Sequence, residues 1–188
     1  MILEILAGVL AAALLLGCIF GGPLLLRRGH EAMLRGLGLE GVTVVPRPWT
    51  MSGLRIERPK WKAEVAFESP PVGGGRPGHL RYVAEFRGPV PLVSAGRDPA
   101  PDARLQTGDD EFDRKISVEG DPAFARKLLS PIVREKLMRL DEVGGRVHAI
   151  GEGTVEITGP LPRGPADLRK FLELCAAIVD ATVTAAGA

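Results

Sequence analysis

The densest run of chemically useful side chains is Asp109-Asp110-Glu111-Phe112-Asp113, four carboxylates in five positions. Oxygen-rich clusters of this kind hold hard cations such as calcium. Asp109, Glu111 and Asp113 share the 1, 3, 5 spacing of an EF-hand loop and are the candidate metal ligands of the chain. The match stops there. Position 6 is Arg114, where the sharp turn needs Gly, and position 12 is Gly120, where a bidentate Glu is needed. A carboxylate pair working as general acid and base needs two different environments and a cleft, and a sequence displays neither. A plainer reading makes Thr107-Gly108 a turn, Phe112 a core anchor and Asp113 an acceptor for neighbouring backbone amides. It is preferred because it asks for no ligand.

Other chemistries find no footing. Gly73-Gly74-Gly75 lacks the lysine and the following helix of a phosphate-binding loop, and it reads as a hairpin loop. Gly151-Glu152-Gly153-Thr154 falls short of a dinucleotide fingerprint and joins two strands. Ser94, Ser117 and Ser130 lack any nucleophile context. His30, His79 and His148 are scattered, and a single cysteine outside the apolar N-terminal run makes no zinc spacing. That cysteine, Cys175, reads as a small buried hydrophobe in a C-terminal helix. No catalytic residue and no cofactor is assigned.

Charge narrows the partners. Lys and Arg number 24 against 23 Asp and Glu, and setting aside Glu4, Arg27 and Arg28 leaves 22 of each sign. Nucleic-acid readers draw affinity from phosphate contacts and carry a basic excess, so no nucleic-acid partner is expected.

The elements that must position these residues begin with a tether. Ile5 to Leu26 is 22 residues without a charge. At 1.5 Å per residue it reaches about 33 Å, enough for a hydrocarbon core of about 30 Å. Gly21, Gly22 and Pro23 are tolerated in such a span and can kink it. Residues 1–28 are therefore read as a single-pass transmembrane anchor with the lipid bilayer as partner of residues 5–26. A cleaved signal peptide would carry a basic leader and a shorter apolar stretch, whereas Glu4 is the first charge. Leu15-Leu16-Gly17-Cys18 also resembles a lipoprotein cleavage site, and a lipoprotein anchored at Cys18 is the alternative. Arg27, Arg28, Arg35 and Arg47 follow the span, so the positive-inside rule puts the domain in the cytoplasm, the alternative being the periplasm.

Residues 29–40 read as a short juxtamembrane helix or a linker, and the linker is preferred since Gly36 and Gly38 weaken a helix over His30 to Glu40. Residues 41–188 read as one soluble domain of ordinary size. Val42 to Val45 and Leu54 to Glu57 are strands. Trp61 to Glu68 and His79 to Arg87 alternate with period two, placing Trp61, Ala63, Val65 and Phe67 with Leu80, Tyr82, Ala84 and Phe86 on a dry face. Further strands are expected near Val90 to Val93 and over Lys115 to Val118. Asp121-Pro122 and Ser130-Pro131 each open a helix, the second with a Val133, Leu137, Leu140 stripe ended by Gly144-Gly145. Arg146 to Ile150 and Thr154 to Thr158 form a hairpin, and a helix over Ala166 to Thr184 buries Leu168, Phe171, Leu172, Cys175, Ile178 and Val179. The fold class is α+β: an N-terminal transmembrane helix, then an antiparallel β-sheet domain with two short helices and a C-terminal helix packed on one face.

Thr107 to Leu140 holds a Thr-Gly-Asp-x-x-Phe-Asp turn, a strand, and a helix ending in Leu128-Leu129-Ser130-Pro131. This segment resembles an uncharacterised family of bacterial membrane-anchored proteins. The resemblance implies a recurrent structural unit and carries no activity. The functional expectation is a membrane-tethered, non-enzymatic interaction module with a protein partner. One alternative is a membrane-associated, cation-dependent enzyme using the acidic turn 109–113. The other is a lipid or membrane-surface binding domain.

Overall fold

A computed structural model describes residues 22–47, 51–68, 78–88, 91, 93–96 and 105–187, with residues 22–27 and 96 as backbone alone. The expected span 5–26 lies outside the described residues up to position 21, Cys18 included. No helix among the described residues is long and apolar enough to cross a membrane.

The first described element is helix α1 (Gly22–Arg35). It takes in residues 29–35 of the stretch read as linker and leaves 36–40 as the connection to the first strand. The glycines at 36 and 38 end the helix instead of abolishing it, and Gly38 takes the left-handed φ of 59° that a helix terminus favours. What holds α1 helical is tertiary burial: Leu34 and Leu37 are 2% and 1% exposed.

The alternating strands then build the sheet. β1 (Val42–Val45), β2 (Gly53–Arg58), β3 (Trp61–Glu68) and β4 (His79–Phe86) form an antiparallel meander. β3 and β4 pair along their full length, from Trp61 opposite Phe86 to Glu68 opposite His79. β5 (Val93–Gly96) and β6 (Ser117–Gly120) follow, then the hairpin β7 (Arg146–Gly151) and β8 (Thr154–Pro160). That late hairpin lies in the middle: the eight strands run β1-β2-β3-β4-β8-β7-β5-β6 in one sheet, antiparallel throughout. Two expected strands shift. The short strand near Val90 to Val93 is found from Val93 onward, and the one over Lys115 to Val118 begins at Ser117. The second shift has a cause. Asp110–Lys115 is a helix, α2, whose first turn is acidic and whose last is basic, the arrangement that complements the helix dipole.

Helix α3 (Pro122–Leu128) starts where expected, the Asp121 carboxylate accepting from Phe124 N at 2.6 Å. Helix α4 (Pro131–Glu142) starts without a side-chain cap from Ser130, so Pro131 alone marks its first turn. Its Val133, Leu137 and Leu140 are buried as expected. Helix α5 (Pro165–Ala186) buries all six expected residues, and Leu174, Thr182, Val183 and Ala185 besides. It is enclosed because it lies between the sheet strands β4 and β8 and the helices α3 and α4. The helices therefore cover one face of the sheet, and Leu54, Ile56, Val65, Tyr82 and Ile157 point into the resulting core.

Candidate functional site

The acidic turn is built around Asp113. Its carboxylate accepts from Thr107 N at 3.0 and 3.1 Å, from Thr107 Oγ1 at 2.7 Å and from Gly108 N at 3.1 Å. Partial burial pushes this carboxyl upward, but the Thr107 and Gly108 hydrogen bonds, with help from Arg134, outweigh it and hold Asp113 below the ordinary carboxylate range. Asp109 caps α2 by accepting from Phe112 N at 3.1 Å. Phe112 itself is fully buried. Glu111 is exposed and meets Lys115 Nζ at 2.8 Å, a pairing that lowers its carboxyl.

A cation is already in place. The Arg134 guanidinium, reaching from α4, lies 3.6 Å from Asp109 Oδ2 and 3.5 Å from the Thr107 carbonyl. The three candidate ligands thus diverge: Asp113 folds onto Thr107, Asp109 serves the helix and Arg134, and Glu111 faces solvent. No group of three His, Cys, Asp or Glu side chains suited to a metal ion is found among the described residues. The turn joins α2 to α4 and seats Phe112.

A second cluster escaped the sequence reading. Ser52, fully buried just before β2, donates its hydroxyl to Glu31 Oε1 at 2.8 Å. Its carbonyl lies 3.0 Å from His30 Nε2, and the His30 ring stands edge-on to Phe67 at 4.6 Å. Serine, histidine and a carboxylate in contact suggest nucleophilic catalysis, but the geometry is wrong for it. The imidazole meets the carbonyl and not Oγ, and a serine without exposure offers nothing to a substrate. These contacts clamp α1 onto the sheet. Arg169 of α5 completes the clamp by donating to the Leu37 carbonyl near the end of α1.

The face of the sheet opposite the helices carries a charge ladder. Arg55 meets Glu64 at 2.9 Å, Lys62 meets Glu85 at 3.0 Å, and Arg81 meets Glu156 at 2.8 Å, all between neighbouring strands. Hydrogen bonds from the arginines lower the Glu64 and Glu156 carboxyls. The twist of the sheet hollows this face into an open groove of about 540 Å³ lined by Arg47, Arg55, Lys62, Glu64, Arg81 and Glu85. A broad surface of alternating sign suits another polar macromolecular surface better than a small molecule, which needs an enclosed, mostly apolar site.

Cys175 is buried, and burial pushes its thiol up, away from reactivity. Compared with protein-family models, with curated proteins and with solved structures, the chain matches none.

Proposed function

We propose that the chain is a membrane-tethered, non-enzymatic interaction module, held in a bilayer by residues 5–26 and presenting its domain to a protein partner in the cytoplasm. The observation that carries this reading is the clamp on α1. The helix that leaves the apolar run is fixed to the domain by Leu34, Leu37 and Ser52 and, through Arg169, to α5. A domain coupled rigidly to its tether presents one face in one orientation, which a binding platform needs. The cation-dependent enzyme reading asks for free carboxylate oxygens, whereas those of Asp109 and Asp113 already serve the protein's own donors.

Photo-activatable residues in place of Arg55, Glu64 or Glu85 on the ladder, and of Arg126 or Glu173 on the helical side, test the proposal in native membranes. One protein species should be captured from the ladder positions and not from the helical ones. Capture of lipid alone, or equal capture from both sides, would sink it.

A further inference from the structure

We infer that the domain stands on the bilayer with the Ser52 end of its sheet against the lipid headgroups, an inference that rests on the tether reading above. The course of α1 sets the geometry. His30 lies at Ser52, before β2 begins, while the Gly41 carbonyl accepts from Glu57 N at 2.9 Å, near the end of β2. The helix, which packs against β1, therefore runs in the direction of β2, and the chain reaches the domain from the Ser52 end.

The distance from the apolar run is short. Leu26 is four residues before His30 in a helix that is continuous from Gly22 to Arg35. Four residues of helix rise only about 6 Å. That is comparable to one headgroup layer, about 5–7 Å of the thickness outside the hydrocarbon. Among the described residues no loop separates Leu26 from His30.

Strand register names what stands at that level. Val45 lies opposite Gly53, and Glu68 opposite His79, which in turn faces Pro160. β3 and β4 extend two residues past Ala66 and Arg81, so this end reaches further toward the membrane than Ser52 does. Met51 leaves a large apolar side chain 42% exposed there. Arg28 and Arg163 are exposed at the same end, Arg163 beside Glu142 and Asp167, and His79 Nε2 lies 3.1 Å from Glu68. An exposed apolar side chain on the end that the helix enters, with arginines within reach of lipid phosphates, fits the headgroup interface.

The test uses the full chain with Cys18→Ser, the buried Cys175 left in place, reconstituted in phosphatidylcholine and phosphatidylglycerol vesicles. A fluorophore is attached at Met51→Cys, at Pro46→Cys as a second reporter of the same end, or at Pro59→Cys in the β2–β3 turn at the far end. A spin label on the lipid headgroup should quench positions 51 and 46 several-fold more than position 59. Equal quenching in protein that resists alkaline extraction overturns the docking and leaves the tether standing. Extraction of the protein by alkali overturns the tether, and the docking with it.

Discussion

Asp113 shows how a motif that suggests ligand chemistry is absorbed by the fold. Three donors converge on it, from Thr107 N, Thr107 Oγ1 and Gly108 N. Asp113→Ala leaves those donors unpaired, so a loss of about 2 kcal/mol is expected in urea unfolding. Its pH dependence has a definite sign. The folded carboxyl sits below its ordinary value, so the unfolded chain takes up a proton first as pH falls. The stabilisation is complete above the ordinary value of about 4 and is lost as pH drops through the lower, folded one. Thr107→Val should raise the Asp113 midpoint, read by NMR titration, and flatten this acid-side dependence. Tyr82 is the opposite case. Its hydroxyl is buried without a hydrogen-bond partner among the described residues, and burial pushes the phenol up. Tyr82→Phe removes an unsatisfied group while keeping the ring, so the melting temperature should stay level or rise. A clear fall would show that the hydroxyl is satisfied after all.

At the scale of elements, the clamp on α1 makes the strongest demand. Leu34→Ala or Leu37→Ala should each cost about 2–5 kcal/mol, as core truncations do, although both lie in a stretch that reads as linker. An unfolding midpoint unchanged in both variants would mean that α1 is dispensable to the domain. Gly159 in β8 makes a comparable demand, because a Cβ there would run into the Phe171 ring of α5. Gly159→Ala should cost about 1–3 kcal/mol through overpacking. Legibility in the sequence divides along the same line. Period-two runs such as Trp61 to Glu68, and Asp-Pro or Gly-Gly punctuation around α3 and α4, carry their structure locally, so they are readable. α1 is not, because its helicity depends on Leu34 and Leu37 meeting a sheet that comes later in the chain. α2 went unread for a different reason. Asp109 is a helix cap, but six residues are too few for a hydrophobic period to show. The Ser52, Glu31 and His30 contacts join residues about twenty apart, and Trp61 reaches Asp180 at 2.6 Å across 119 positions. No spacing rule finds such pairs.

At the scale of the whole molecule, the proposed tether and the sheet together set an expected topology. The β7–β8 hairpin joins the sheet beside β4, and α5 then crosses the inner face, so the α1 end and α5 meet through Leu37 and Arg169. Both helices belong to one packed domain, so whatever side of the membrane receives α1 receives α5 also. Arg27, Arg28 and Arg35 follow the apolar run, whereas Glu4 stands before it. Positive charge beside a span is retained on the cytoplasmic side, so that is where the domain is expected. A fluorescent reporter fused after Ala188 should therefore be bright, and a phosphatase that works only in the periplasm should be silent at the same place. Replacing Arg27 and Arg28 with glutamate while adding lysines before Ile5 reverses the charge bias, and should move part of the population to the phosphatase-active orientation. An active phosphatase on the unaltered chain would put the charge ladder outside the cytoplasm. The proposed partner would then be sought there, while the clamp and the fold would stand unchanged.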